Sequence, residues 1–133
     1  MTHTTYRRPI HGFLISDLQR DGALDLFNDL SPVVNMRIQP AVWISTLEIS
    51  NADLVDSQKF CARHLRPPLP TEVGIALAHK SVYETIISAD HDWSVVLEDD
   101  ALVVDPSTFA NRLGFLTTKL PTDRPCIVNL NFR

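Results

Sequence analysis

The apolar positions of this chain alternate between short continuous runs and segments with helical spacing. Residues 10–15, 93–97 and 126–130 form apolar runs of strand length, and residues 33–38 alternate imperfectly between apolar and polar positions, which also suits a strand. Residues 42–44 are interpreted as a continuation of the second strand. Because helical segments separate these runs, we predict an α/β fold with a mostly parallel sheet.

Between the strands, apolar residues recur three or four positions apart, as on one face of an amphipathic helix. The predicted helices are residues 23–30, which end before Pro32; a helix with Leu54, Cys61 and Leu65 on one face and Asn51 or Asp53 as its N-cap; residues 71–88, with an apolar stripe of Ile75, Ala78, Val82 and Ile86; and residues 106–113. Residues 67–70 include three prolines and predict an extended connector before the third helix.

Composition narrows the class of protein. The 133 residues are 44% hydrophobic and 21% charged, which suits one domain over residues 1–133 with a modest core. A net charge of −4 argues against a nucleic-acid-binding protein. No apolar run reaches the ~18 residues of a membrane-spanning helix, and Cys61 and Cys126 lack metal-like spacing. We therefore expect a cytoplasmic protein with reduced cysteines.

Three consecutive carboxylates, Glu98, Asp99 and Asp100, follow the clearest apolar strand. Ligands of open α/β sheets bind outside the carboxyl ends of the strands. In a strand extended through residue 100, Glu98 and Asp100 would point to one side and Asp99 to the other. Two carboxylates on one side repel unless a cation lies between them, and Mg²⁺ binds carboxylates together with substrate phosphates. Glu98 and Asp100 thus predict a divalent-cation site, with a solvated acidic loop as the alternative.

Two segments of the chain form a pattern in a fixed order. Residues 70–79 are Pro-Thr-Glu-Val-Gly-Ile-Ala-Leu-Ala-His, and residues 97–100 are Leu-Glu-Asp-Asp. Together they resemble the Gly-Glu-Ile-Gly-Cys-x-Leu-Ser-His and Leu-Glu-Asp-Asp signatures of glycosyltransferase family 25, which includes bacterial lipopolysaccharide-biosynthesis enzymes and procollagen galactosyltransferases. Residues 13–20 are similar, more loosely, to the family's first strand and arginine-containing turn. The chain departs from the pattern at Thr71, Val73, Ile75 and Ala78.

The resemblance implies a GT-A-like fold and a metal-dependent, inverting transfer of a sugar, often galactose, from a UDP-sugar. It implies that Asp100 and Glu98 bind Mn²⁺ or Mg²⁺. The donor-binding residues that it implies are Glu98, Asp99, Glu72, His79 and Arg20. The implied acceptor is a glycan or lipid-linked glycan, as in lipopolysaccharide or other surface-glycan biosynthesis, with the protein in the cytoplasm or at the inner face of the membrane.

The resemblance covers only the donor-binding half of the family's domain. A catalytic base is therefore expected beyond residue 133, and a partner chain is a candidate for completing the fold. The alternative function is a non-catalytic module that binds a nucleotide sugar or another protein. A phosphoacceptor signalling domain also has acids at strand ends, but its acidic pair follows the first strand, whereas this triplet lies in the last third. The remaining histidines are interpreted as ordinary polar residues: His3, His11, His64 and His91.

Overall fold

The structure is a computed structural model that describes residues 10–51, 55–121 and 123–130. Its elements, in chain order, are β1 (His11–Ile15), α1 (Ala23–Leu30), β2 (Asn35–Gln39), α2 (Thr46–Asn51), α3 (Ser57–His64), α4 (Pro70–Ser88), β3 (Ser94–Glu98) and α5 (Pro106–Lys119). Strands and helices are interspersed along the chain, which confirms the predicted α/β class.

The three strands form one sheet in the order β2-β1-β3, and both neighbouring pairs are parallel. The register places Gly12 of β1 between Met36 of β2 and Val95 of β3. β1 is therefore the central strand of the sheet. Since all three strands run in the same direction, their carboxyl ends lie along one edge.

Successive residues of β1 contribute to hydrophobic clusters on opposite faces of the sheet, as strand geometry requires. Leu14 is completely buried in a cluster that includes Leu30 of α1 and Leu113 of α5. Phe13 and Ile15 pack on the other face against α4. Helices thus cover both faces of the sheet, which explains why β1 is a continuous apolar run rather than an alternating one.

The segment after β2 crosses α4 instead of extending the sheet. Residues 40–45 have no regular secondary structure, so the predicted continuation of the strand over residues 42–44 is wrong. The backbone carbonyl oxygen of Val42 lies so close to Gly74 of α4 that a Cβ at position 74 would overlap it. Only a residue without a Cβ allows this approach of loop to helix.

α3 lies within the segment where the sequence predicts a helix, and the short helix α2, which the sequence does not predict, precedes it. Asp56, rather than Asn51 or Asp53, caps α3, and its carboxylate accepts a hydrogen bond of 3.0 Å from a backbone N–H of the first turn. Leu65 ends α3 in the left-handed conformation and is 91% exposed, so it does not contribute to a buried face. Leu54 and Asp53 lie outside the described residues.

α4 begins at Pro70, one residue before the prediction, and ends at Ser88 as predicted. The Glu72 carboxylate accepts a hydrogen bond of 2.9 Å from the backbone N–H of Leu69 and so satisfies a donor before the first turn. Ile75 is 46% exposed, which contradicts its place in the predicted apolar stripe. The buried positions of this helix are Val73, Gly74, Ala78 and Val82.

The C-terminal part of the described chain differs from the prediction in two respects. α5 continues to Lys119 instead of ending at Leu113, because Leu116 extends the partly buried apolar face of the helix. Residues 126–130 have no regular secondary structure, so the predicted fourth strand is wrong. Leu130 nevertheless packs against the cluster around Leu14.

Candidate active site

The acidic triplet lies at the carboxyl edge of the sheet, next to the end of β1. The chain moves from β1 to β2 on one side, and later to β3 on the opposite side of β1. The strand order therefore changes direction between β1 and β3, which makes this position a switch point of the sheet. In doubly wound sheets such a switch point opens a crevice at the carboxyl ends of the strands, where ligands bind.

The extended conformation of β3 ends at Glu98, and Asp99 and Asp100 lie in a turn. The backbone N–H of Ala101 donates a 3.0 Å hydrogen bond to the carbonyl oxygen of Glu98 and closes this turn. The alternation that placed Glu98 and Asp100 on one side assumed an extended strand through residue 100. That assumption is wrong, so strand geometry does not pair these two carboxylates.

Asp99 links the turn after β3 to the loop after β1. Its Oδ2 accepts a 2.9 Å hydrogen bond from the hydroxyl of Ser16, which is 2% exposed, and its Oδ1 lies 3.3 Å from Nε of Arg20. Ser16 Oγ also accepts a 2.8 Å hydrogen bond from the backbone N–H of Leu18. Asp99 thus holds the loop and contacts Arg20 directly.

The contact with Asp99 leaves most of the Arg20 guanidinium unused. The ion pair involves Nε of Arg20, and no hydrogen bond of the two terminal amino groups is found within the described residues. The Arg20 side chain is 57% exposed. Terminal amino groups of arginine bind the paired oxygens of a carboxylate or phosphate. Arg20 is therefore held through one nitrogen and can bind an anion through the others.

The loop that carries Arg20 includes a residue in an unfavourable backbone conformation. Leu18 has a φ of 62°, in the left-handed region that a branched side chain rarely adopts. The Leu18 N–H bond to Ser16 Oγ stabilises this conformation. Backbone strain of this kind persists only where the surrounding structure fixes it, and it is common at ligand-binding sites.

Glu98 contacts His79 of α4. The distance between His79 Nε2 and Glu98 Oε1 is 3.1 Å, and the Tyr83 hydroxyl lies 3.5 Å from the other ring nitrogen of His79. The carboxylate fixes the proton of His79 on Nε2, because a carboxylate can only accept. Structure therefore joins two of the predicted site residues, although they are 19 positions apart.

Asp100 is exposed, and no hydrogen bond or ion pair of its carboxylate is found within the described residues. Its two neighbours differ from it in this respect: Asp99 binds Ser16 and Arg20, and Glu98 binds His79. Asp100 is thus the carboxylate of the triplet that remains available to a ligand.

The carboxylates of the triplet could bind only a cation that takes its remaining ligands from another molecule. Within the described residues, no three or more histidine, cysteine, aspartate and glutamate side chains are grouped so as to hold a metal ion. Mg²⁺ and similar hard cations commonly bind one or two carboxylates and complete their shell with phosphate oxygens and water. Asp100 could contribute one carboxylate to this second arrangement, and Glu98, which is 46% exposed, could contribute another only after it leaves His79.

Glu72 is occupied by partners away from the triplet. Its carboxylate binds both terminal nitrogens of Arg66, at 2.5 and 2.8 Å, and the backbone N–H of Leu69. The hydrogen bonds from Arg66, and then that from Leu69, lower the pKa of Glu72 to about 2. Glu72 and His79 are seven positions apart in α4, which corresponds to about 10 Å along the helix axis. The structure therefore assigns Glu72 a contact at the start of α4 and none with the acids after β3.

Ser16 and Tyr83 contact residues of the site but are not among the site residues predicted from the sequence. Ser16 carries one recognisable signal, since it is the first polar residue after a buried strand at the edge where ligands bind. Tyr83 lies four residues after His79 on α4, which places both on one helix face. Nothing in the sequence indicates that this face meets the end of β3.

Replacing Ser16 with alanine is expected to lower the free energy of unfolding by about 1 kcal/mol, because both hydrogen bonds of a buried hydroxyl are lost. Urea denaturation followed by circular dichroism measures this change. Ser31→Ala is the matched control, because its exposed hydroxyl also donates one hydrogen bond, to Phe27 O. The control should change stability by less than about 0.5 kcal/mol. Equal effects of the two substitutions would contradict a structural role for Ser16.

Comparison with known proteins does not assign the chain to a family. None of the helices within the described segments has both the length and the apolar character needed to cross a membrane. No protein-family model, curated protein or solved structure matches this chain.

Proposed function

We propose that this protein is a glycosyltransferase that binds a nucleoside-diphosphate sugar, a UDP-sugar such as UDP-galactose, and transfers the sugar to a glycan acceptor. The observation that carries the proposal is the position of Asp99, Asp100 and Arg20 together at the carboxyl edge between β1 and β3. This arrangement supports a GT-A-like donor site, because it combines a switch point of the strand order, where open α/β sheets bind ligands, with groups that can bind a diphosphate.

The charges of the site suit an anionic ligand that carries a cation. Arg20 is fixed by Asp99 and offers its terminal amino groups to phosphate oxygens. Asp100 would hold Mn²⁺ or Mg²⁺, with Glu98 as a weaker ligand after release from His79. When bound, the cation neutralises the negative charge that develops on the leaving diphosphate.

The remaining residues position these groups. Ser16 fixes Asp99, which in turn fixes the Nε side of Arg20. His79 holds the Glu98 carboxylate at the end of β3. In an inverting transfer, the acceptor oxygen attacks the anomeric carbon, the diphosphate leaves and a base takes the acceptor's proton. We assign that base to no residue of the described segments.

Titration calorimetry of the protein with UDP-galactose and Mn²⁺ tests the proposal. We expect saturable binding that is lost when a chelator removes the cation, and that is weaker for galactose alone because the diphosphate supplies the charged contacts. Incubation with a glycan acceptor should then release UDP. Absence of binding to UDP-galactose, UDP and other nucleotide sugars in the presence of Mn²⁺ would contradict the proposal.

A second candidate is a non-catalytic module with the same donor site. The observation that favours it is a set of exposed apolar side chains after the triplet: Leu102, Val104 and Ile127 are 87%, 89% and 91% exposed. Such residues are typical of a surface that another chain covers. Binding of UDP-galactose without release of UDP in the presence of acceptor would favour this module over the enzyme.

A further inference from the structure

Two histidines stack face to face at the amino end of the sheet, opposite the candidate active site. His11, at the start of β1, and His91, in the connection between α4 and β3, have ring centroids 3.7 Å apart and ring planes within 6° of each other. They border an open groove of about 1030 Å³ between this connection and α5. The stack is therefore a contact between this connection and β1.

Each imidazole is also held by a hydrogen bond on its Nδ1 atom. His11 Nδ1 lies 3.2 Å from the side-chain nitrogen of Asn35 on β2. Because an amide nitrogen can only donate, His11 Nδ1 must accept, which requires that it carry no proton. His91 Nδ1 lies 3.3 Å from the hydroxyl of Ser94, which can donate or accept. Protonation of His11 at Nδ1 thus breaks one bond of the arrangement.

The surroundings of the stack disfavour a positive charge on the His11 ring. Burial, then the neighbouring His91, then Arg37 of β2 lower the pKa of His11. The carboxylates nearest along the chain are Asp90 and Asp92, both exposed to water, which weakens their effect on the rings. The α5 side chains that line the groove are uncharged, and Phe13 is the aromatic neighbour of His91 on β1.

We propose that His11 and His91 form a proton-sensitive latch, which holds residues 89–93 against β1 at neutral pH and releases them when both imidazoles are protonated. The backbone of this segment is suited to such a change. Asp90 has a φ of 52° in the left-handed region, and only long hydrogen bonds of 3.3 and 3.4 Å connect the N–H groups of Asp90 and His91 to α4. Release would widen the groove without breaking the sheet.

The stability that the stack contributes decreases at low pH, because the stack favours the neutral form of His11. The folded protein binds fewer protons at His11 than the unfolded chain, so stability from this group is fully present above pH ~6.5. It is lost progressively as the pH falls below that value toward the lower pKa of the folded state. The latch should accordingly be closed at pH 7.5 and open increasingly as the pH falls below about 6.5.

Hydrogen exchange at pH 7.5 and pH 5, expressed as protection factors so that intrinsic rates cancel, tests the latch on the full chain. We expect protection of the Asp90 and His91 amides to fall by about tenfold at pH 5, the order of magnitude for two like charges ~4 Å apart in a dielectric close to that of water. Protection of the Phe13 amide in β1 should not fall with it, since the sheet remains folded. Unchanged protection of Asp90 and His91, or an equal loss at Phe13, would overturn the proposal.

Two substitutions distinguish the effect of protonation from the effect of the aromatic ring. His91→Phe keeps an aromatic ring on His11 but cannot be protonated, so its protection at residues 90–91 should be the same at both pH values. His64→Gln also removes one histidine, on the exposed surface of α3, and should keep the full pH response of the parent. A response that persists in His91→Phe would assign the pH effect to another group and contradict the latch.

Discussion

Replacing Asp100 with asparagine is expected to lower the affinity for UDP in the presence of Mn²⁺ by about ten- to a hundredfold, the loss that follows when a charged ligand contact becomes neutral. The reason is the division of partners within the triplet. Asp99 and Glu98 are held by neighbouring side chains, whereas the Asp100 carboxylate is left for a cation. Titration calorimetry with UDP and Mn²⁺ measures the affinity.

Two further substitutions test this division of roles. Glu98→Gln should weaken UDP binding by less than Asp100→Asn, because Glu98 is engaged with His79 and contributes less to the cation. Asp29→Asn is the control, since it also removes one exposed carboxylate but lies at the end of α1 away from the carboxyl edge of the sheet. Wild-type affinity in both Asp100→Asn and Glu98→Gln would remove these acids from the proposed cation site.

Replacing Gly74 with alanine is expected to lower the free energy of unfolding, because the cost of inserting an atom into a packed interior, about 1–3 kcal/mol, exceeds the gain in helix propensity. The added Cβ would overlap the carbonyl oxygen of Val42, and a backbone atom cannot move aside as a flexible side chain can. Helix propensity acts in the opposite direction, since alanine is favoured over glycine inside a helix by about 1 kcal/mol. Denaturant unfolding measures the difference between these effects.

The reverse substitution on the same helix calibrates that measurement. Ala76 is an exposed position of α4, so Ala76→Gly should cost only the helix propensity of about 1 kcal/mol. A gain in stability for Gly74→Ala of the same size as the loss for Ala76→Gly would show that propensity alone acts at both positions. The close approach of the loop to α4 would then have no energetic consequence.

The elements that the sequence predicts correctly are those whose signal is local. β1, α1 and β3 combine an apolar run or stripe with a clear stop, such as Pro32 after α1. Residues 42–44 and 126–130 have the same apolar character but do not form strands. For residues 42–44 the difference arises from the contact between Val42 and Gly74, which depends on the packing of α4 and cannot be inferred from either segment alone.

The sequence likewise predicts the position of the candidate site but not the contacts between residues that are distant along the chain. The position of the triplet at the carboxyl edge of a parallel sheet follows from the order of strands and helices, and the structure agrees. The turn after Glu98 removes the alternation on which the pairing of Glu98 and Asp100 depended. The contacts of His79 with Glu98, and of Ser16 with Asp99, join residues 19 and 83 positions apart, so spacing could not predict them.

The face that each residue of β1 presents has a consequence for how the site can change. Leu14 and Ile15 fill opposite sides of the sheet, and Ser16 follows them immediately. A shift of one residue along the strand would exchange its two buried faces and carry the hydroxyl away from the acid it binds. Substitutions that repack the interior of this protein will therefore also alter the candidate site, and variation that preserves the site must leave this strand in place.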